Sequence, residues 1–351
     1  MFYDALSRYI ILVAMAATIR HNAMLFLEGS LMWFNNVQIY QFTQAFTLSA
    51  EELGEKLQAA RFKPCGSLQP ASYGWTTPLG KHGEELIHVA NGNIMICARK
   101  EEKILPASVV REFVNEKVAE IEATQARKLA KKEKEMIKDE VLLDLLPRAF
   151  IRSHLTFAYI SPADNFMLIN ASSSNKAEEL LVYLRKTIAS LPVTPVALKT
   201  PASTTMTRWV LGEEVPADII INDECELHDT VEGGGIIRCK RQDLESAEIQ
   251  THISAGKQVV KLAVTWQENL SCVLNQNLSI NRLKFSDEVL AQADSEGSDG
   301  YAAQFDEDFT IMALELKCFI PRLIEVFGGE DNVIKDKTLN IKNVKEPAPV
   351  D

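Results

Sequence analysis

The residues best suited to chemistry are the cations of one lysine-rich segment, residues 126–138, which reads ARKLAKKEKEMIK. It holds six basic and two acidic residues. On a helix at 100° per residue, four of the cations fall within about 60° of one another along roughly 16 Å of axis. A nucleic-acid duplex carries one charge every ~1.7 Å, so such a face could contact several phosphates. The four cations are Arg127, Lys131, Lys134 and Lys138, and Lys128 and Lys132 widen the face on one side.

The alternative interpretation is a solvated, salt-bridged helix that binds nothing. Two observations favour binding. The cations share a face instead of alternating with glutamate, and the chain as a whole is acidic, with a net charge of −11. Residues 285–330 hold eleven Asp or Glu against Lys317 and Arg322, a local charge of −9, whereas residues 126–138 carry +4. Because affinity for a polyanion follows the local patch, this distribution predicts one basic surface on an otherwise repelling protein.

Further basic residues lie on both sides of the lysine-rich segment. Arg238 and Lys240 share one face of a predicted strand, and Arg241 and Gln242 stand where it ends. An isolated pair of this kind is more often a solvated strand face, so both interpretations stay open. The other cations that we assign to nucleic-acid contact are Arg99, Lys100, Lys103, Arg148, Arg282 and Lys284.

Phe150 lies between Arg148 and Arg152 and has two interpretations. It could be an ordinary core residue. It could also be an apolar anchor at a contact between subunits, since exposed aromatic residues often carry binding energy.

The chain contains few signs of catalysis. Glu101-x-Lys103 matches the E-x-K of metal-dependent nucleases, in which the carboxylate holds Mg²⁺ and the lysine orients water, but no partner acid is assigned. Neither a phosphate-binding loop, a dinucleotide-binding motif nor G-x-S-x-G is found. The six cysteines form no C-x-x-C pair and no zinc spacing, so we expect reduced thiols in a cytoplasmic protein, without metal or cofactor.

Local signals predict the elements that position these residues. Residues 37–42 indicate a strand, and Ser49 with Glu52 forms a capping box for a helix through Ala60. Asn91-Gly92 indicates a hairpin between residues 88–90 and 93–100. Pro106 precedes a helix whose apolar face we expect in the core, and the basic face follows on the same or the next helix. The apolar residues are Val110, Val114, Val118 and Ile121.

The second half of the chain alternates hairpins with helices. Residues 157–160 and 166–169 form a hairpin, and helices are predicted at 175–189 and 204–211. Asp243 is predicted to cap a helix that ends at Gly256. Three strands at 259–266, 270–277 and 279–285 form a meander, residues 291–300 are polar and loose, and residues 303–327 form the closing helix. The pattern predicts an α+β fold with antiparallel or mixed sheets and long helices.

Long motifs make the chain similar to a known family. The sequence resembles the bacterial recombination-associated RdgC proteins from about Leu31 to Gly329. The motifs include FKPCGS, HVANGNIMICARKEEKILP, QARKLAKKEK, KDEVLLDLLPRAF, GGGIIRCKRQDL and HISAGKQVVKLAVTWQ. MWFNN stands near the N-terminus of the family, so we expect residues 1–30 to be a non-native, disordered extension and Met32 to open the protein. Residues 31–330 would be the DNA-binding region, with a basic helical insertion at 107–150, and residues 331–351 a polar tail.

The resemblance implies a horseshoe-like subunit that forms a ring-shaped homodimer around double-stranded DNA. It implies binding without sequence preference, inhibition of RecA-promoted recombination, a role in replication fork repair and a nucleoid location, with no catalysis and no membrane. Binding of single-stranded DNA stays open. Arg127, Lys128, Lys131 and Lys132 would line the hole. Arg241 and Gln242 would be contacts where the ring closes, and Phe150 would lie in a dimer interface.

Two alternatives remain beside this interpretation. One is a metal-dependent nuclease centred on Glu101 and Lys103. The other is a scaffold whose charged helix binds a protein partner and which would not retard DNA even at low salt.

Overall fold

The computed structural model describes residues 32–231, 233–293 and 300–331. Within these ranges the chain has twelve strands in two antiparallel sheets and eight α-helices, which confirms the α+β class. The extension predicted at residues 1–30, the tail after 331 and most of the loose segment 291–300 lie outside the described residues.

The first sheet has seven strands in the order β2-β4-β5-β6-β1-β7, with β3 paired to β4. Its centre is a long ribbon of β4 and β5, paired from Ile94↔Ile160 to Ile104↔Phe150. The predicted Asn91-Gly92 turn joins β3 to β4, and both turn residues have the positive φ that a primed hairpin turn requires. The strands are β1 (Gln38–Phe42), β2 (Ala71–Thr76), β3 (Ile87–Ala90), β4 (Asn93–Ile104), β5 (Phe150–Ser161), β6 (Phe166–Ile169) and β7 (Val193–Pro195).

The second sheet has five strands in the order β12-β11-β10-β8-β9 and contains the predicted meander. Residues 35–37 join it to the first sheet: Val37 and Ile280 exchange backbone hydrogen bonds of 2.7 and 2.9 Å. The strands are β8 (Ile219–His228), β9 (Ile236–Lys240), β10 (Gln258–Trp266), β11 (Leu270–Asn275) and β12 (Ile280–Phe285).

The first helix begins at a local signal in the sequence. Ser49 accepts from the Glu52 backbone and the Glu52 carboxylate accepts from the Ser49 backbone, so the predicted capping box is present. The helices are α1 (Ala50–Gln58), α2 (Ala107–Gln125), α3 (Lys131–Leu145), α4 (Ser174–Ile188), α5 (Ala202–Val210), α6 (Ala247–Ser254), α7 (Asp287–Ala293) and α8 (Tyr301–Val326).

Two local predictions are wrong. Asp243 does not cap α6, which begins after Ser246, because the Asp243 carboxylate instead accepts from the Glu245 backbone in a short turn. Residues 291–293 were predicted to be loose, yet they form the end of α7, which packs on α8.

The core is layered around the first sheet. One face carries α1 and α4, with Leu53, Leu57 and Leu180 fully buried. The other face packs against α8, which also reaches the second sheet: the Phe309 ring contacts Tyr159 of β5, and the Phe319 ring contacts Trp266 of β10. Because α5 also packs on β10, the second sheet has one face in the core and one face outside.

Helices α2 and α3 form a hairpin with a small core of its own. We call this segment, residues 107–145, the helical hairpin. Lys117 joins its two helices through 3.1 Å ion pairs to Glu140 and Asp144. The apolar face expected at Val110, Val114, Val118 and Ile121 packs here, which confirms a core role, together with Leu129, Ile137 and Val141.

Candidate nucleic-acid interface

The basic segment begins in a turn. Helix α2 ends at Gln125 because Ala126 adopts the left-handed conformation, with φ at 47°. Arg127 and Lys128 therefore lie between the helices, while Lys131, Lys132, Lys134 and Lys138 lie on α3. The expectation of one helical face running through Arg127 is wrong, although Lys131, Lys134 and Lys138 keep their helical spacing.

Acidic side chains shape this turn. Arg127 donates two hydrogen bonds, of 3.0 and 2.6 Å, to the carboxylate of Glu133. Glu133 also accepts from the backbone of Ala130, 2.8 Å away, at the start of α3. The bonds from Arg127 and then from Ala130 lower the pKa of Glu133 to about 2. Lys134 pairs with Glu122 at 3.3 Å, so the role of these two cations includes holding the turn.

The remaining cations of the lysine-rich segment are exposed and make no ion pair among the described residues. They differ from Arg127 and Lys134 in offering their full charge to solvent. These cations are Lys128, Lys131, Lys132 and Lys138. Among the large apolar residues of the segment, Leu129 and Ile137 are buried and Met136 is exposed.

Arg99 and Lys100 of the β4–β5 ribbon already form ion pairs with glutamates. Arg99 donates to Glu101 at 2.8 Å and lies over the Phe62 ring. Lys100 contacts Glu102 and Glu179, each at 2.7 Å, and these hydrogen bonds raise its pKa.

Glu101 and Lys103, the pair considered for a nuclease, form hydrogen bonds with backbone groups. Glu101 is buried and accepts from the backbone of Cys65 at 3.0 Å. Lys103 donates to the carbonyls of Ser67 and, at 2.9 Å, Leu146. Both side chains therefore fasten the loop at 65–69, and Lys103 also fastens the end of the helical hairpin.

Phe150 is 84% exposed, so its interpretation as a core residue is wrong. It begins β5 opposite Ile104, and its neighbour Ile151 is also exposed. Arg148 is exposed just before it and makes no ion pair within the described part of the chain. The ribbon thus ends in an uncovered apolar patch, which we define as Ile104, Phe150 and Ile151.

The remaining site residues lie on the second sheet. Arg241 is exposed with φ at 54°, and Gln242 follows it beside a cavity of about 210 Å³. Arg282 also has a positive φ, 51°, at an irregularity in the pairing of β11 with β12. Lys284 is exposed.

Sequence reasoning missed one group on this sheet. Lys261 stands among apolar residues of β10, and its ammonium contacts Glu226 of β8 at 3.2 Å. Its position within an apolar strand was the only signal, because the partner acid lies in a strand that the sequence analysis did not identify.

In residues 32–231, 233–293 and 300–331, no group of three or more His, Cys, Asp or Glu is placed to hold a metal ion. All six cysteines are free thiols. Within the same ranges, no helix has the length and apolar character needed to cross a bilayer.

Comparison with known proteins gives consistent results. A family model described as "Putative exonuclease, RdgC" matches residues 32–330. The recombination-associated protein RdgC of Aeromonas hydrophila is 52% identical over 303 residues, which cover 86% of this chain and 100% of that protein. The proteins of the same name from Tolumonas auensis and Serratia proteamaculans are 48% and 46% identical over 299 and 300 residues, covering 85% and 86% of this chain and 99% of each relative. The relatives' names mention recombination and no enzymatic activity.

Proposed function

Because the chain belongs to the RdgC family of recombination-associated proteins, we propose that it binds double-stranded DNA without sequence preference and regulates recombination. It inhibits strand exchange promoted by RecA by occupying the DNA, and it acts in replication fork repair at the nucleoid. The family match agrees with the resemblance inferred from the motifs.

The observation that carries this proposal is the set of unpaired cations on the helical hairpin. Lys128, Lys131, Lys132 and Lys138 project from one turn and one helix of a protein whose net charge is −11. Lysines that contact phosphates release condensed counterions from DNA, which favours binding and reads no base sequence. A local cationic surface on an acidic protein thus suits binding to the backbone of any duplex.

We further propose that two horseshoe-like subunits close into a ring around the duplex. The support is the uncovered apolar patch of Ile104, Phe150 and Ile151, because a well-exposed aromatic residue is a common anchor at subunit contacts. Arg241 and Gln242 act at the second closure. The proposed DNA-contacting residues include every basic residue named from the sequence. Arg99, Lys100 and Lys103 belong to this set, although acidic or backbone partners offset part of their charge.

The binding test uses a variant that spares the ion pairs of the turn. Lys131→Gln combined with Lys138→Gln removes two unpaired charges, and the matched control, Arg185→Gln with Lys186→Gln, removes two exposed charges from α4. The slope of log affinity against log salt should shrink by about 1.8 per subunit for the first variant, at about 0.9 per phosphate contact, which is about 3.6 for a dimer, and stay unchanged for the control. Equal slopes in all three proteins, or loss confined to particular sequences, would contradict the proposal.

Encirclement is tested by retention on closed circular and linear duplex during a salt challenge, with the mass of the protein measured in parallel. A ring should stay on circles and slide from linear ends, and the protein should have the mass of a dimer. Equal release from both DNAs, or a monomer, would overturn the ring. Competition with single-stranded DNA measures strand preference in the same assay.

A nuclease is the second candidate function, because the matching family description contains the word exonuclease. Against it, Glu101 and Lys103 both fasten the 65–69 loop through backbone contacts. We expect end-labelled DNA to stay intact with the protein and Mg²⁺, and progressive shortening that disappears in Glu101→Gln would establish the nuclease instead. The scaffold alternative is decided by the binding test: no retardation of DNA at low salt would favour it.

A further inference from the structure

The outer face of the second sheet, opposite the core, carries a cluster of charges that only strand pairing brings together. Four cations from three strands surround a cavity of about 350 Å³. Two glutamates of β8 lie among them. We call this group the outer-face cluster, and its members are Arg238, Lys240, Lys261, Arg282, Glu224 and Glu226.

One row of the cluster crosses three neighbouring strands. The pairing register places Arg238 of β9 and Lys261 of β10 on either side of Glu226 of β8. Glu226 accepts from Arg238 at 3.0 Å, from Lys261 at 3.2 Å and from His228 at 2.7 Å. Burial opposes ionisation of Glu226, but these three hydrogen bonds outweigh it and lower its pKa to about 2.

The second glutamate joins the ends of the cluster. Glu224 lies opposite Lys240, whose ammonium is 3.9 Å away. It also contacts Arg282 of β12 at 2.8 Å. In the order of the sheet β11 and β10 separate β12 from β8, and at about 4.8 Å per strand this is roughly 14 Å. Arg282 and Glu224 therefore extend toward each other across the cavity.

In this cluster the glutamate side chains are more buried than the cationic side chains. The side chains of Glu226 and Glu224 are 11% and 26% exposed, whereas those of Arg238, Lys240, Lys261 and Arg282 are 66%, 67%, 45% and 52% exposed. The cations outnumber the acids by two. A ligand that approaches from solvent meets the cations first, and the acids below hold those cations in place before it arrives.

A cavity of this size is at the small end of ligand pockets, but such pockets are mostly apolar, and this one is lined chiefly by charged side chains. Guanidinium groups and ammonium groups held in place are suited to phosphate oxygens. We propose that the outer-face cluster is a second phosphate-binding surface, which contacts the nucleic-acid backbone independently of the helical hairpin. The inference rests on the proposed function, since it names a further place where the same duplex is held.

The test removes two cations while leaving each glutamate a partner. In Lys240→Gln with Lys261→Gln, Glu224 keeps Arg282, and Glu226 keeps Arg238 and His228. The matched control is again Arg185→Gln with Lys186→Gln, because α4 packs on the face of the first sheet that lies away from the second sheet. Thermal unfolding checks that both variants are folded, and Lys240→Gln alone replaces the double variant if it is not.

The readout is the salt dependence of binding to a duplex of fixed length and mixed sequence. We expect the log–log slope to shrink by about 1.8 per subunit for the double variant, or by about 0.9 per subunit for Lys240→Gln alone, with no change in the control. A slope equal to that of the unaltered protein overturns the outer-face site while the proposed function stands. If the unaltered protein does not bind duplex, the proposed function itself fails. A reduced slope in the helical-hairpin variant only would assign all binding to the hairpin.

Discussion

The helical hairpin and the outer face of the second sheet are both basic, but they are built in opposite ways. In the hairpin, cations and acids are close in sequence, as Arg127 and Glu133 are, and both are exposed to solvent. On the outer face, Glu226 is more buried than Arg238 and Lys261, the cations that it contacts on two neighbouring strands. An exposed ion pair is worth little because water and salt screen it, whereas a shielded carboxylate orders its partners. The ion pairs of the hairpin are therefore screened by solvent, whereas the cations of the outer face are arranged around carboxylates that are partly shielded from it.

The largest effect is expected from the core beneath the outer face. Leu227 of β8 is fully buried in the main core between the sheet and its packing helices. Leu227→Ala should lower the free energy of unfolding by about 4 kcal/mol, because a well-packed site cannot collapse around the cavity. Urea unfolding measures this, and the decrease should appear in every part of the molecule. A decrease of about 2 kcal/mol or less would mean that the outer face is no better supported than the hairpin.

A smaller and local effect is expected in the hairpin. Leu129 is buried in the small core of residues 107–145. Leu129→Ala should cost about 2 kcal/mol, because this thin cluster can close part of the cavity. Hydrogen exchange should accelerate within 107–145 and stay unchanged in β8 and β10. Faster exchange throughout the chain would show that the hairpin and the body unfold together and would remove the contrast.

The acidity of Glu226 predicts a pH dependence. Because folding lowers its pKa from 4.5 to about 2, its stabilising contribution is present above pH 4.5 and is lost as the pH falls toward 2. The difference in unfolding free energy between the unaltered protein and Glu226→Gln should therefore be about 1 kcal/mol at pH 6 and shrink by pH 2.5. The effect is small because the cationic partners are half exposed, so that solvent screens the ion pairs. A difference that does not vary with pH would contradict the proposed role of the carboxylate.

The smallest effect is expected from Glu133, although its pKa is also lowered to about 2. Both Arg127 and Glu133 remain in water, so Glu133→Gln should leave global stability unchanged. Hydrogen exchange should accelerate only at the backbone of Ala130 and the first turn of α3, and 0.5 M salt should reduce the difference from the unaltered protein. A global destabilisation equal to that of Glu226→Gln would show that exposure does not separate the two regions.

Local signals predicted much of the fold and part of the candidate site. Asn91-Gly92 and Ser49 with Glu52 act within a few residues, so the hairpin and the capping box were confirmed. The break at Ala126 was not predictable, because neither Gly nor Pro marks it and the side chain that stabilises the new start, Glu133, resembles any other glutamate of the segment.

The outer-face cluster lay beyond sequence reasoning for a different reason. Its members come from β8, β9, β10 and β12, and only strand pairing brings Lys261 and Arg238 to Glu226. The exposure of Phe150 could not be predicted for the same reason. A hydrophobic residue between two arginines is compatible with the core or with the surface, and only the position of the ribbon's end decides between them.

The exchange of backbone hydrogen bonds between Val37 and Ile280 also bears on biosynthesis. Roughly 240 residues separate the two partners, so a ribosome working at about 5–20 residues per second needs roughly 12–50 s to make the second after the first. During that interval the backbone of Val37 lacks its partner in the second sheet. Completion of the second sheet is thus a late event in synthesis, and a nascent chain stalled before residue 280 would leave this backbone exposed to chaperones and proteases.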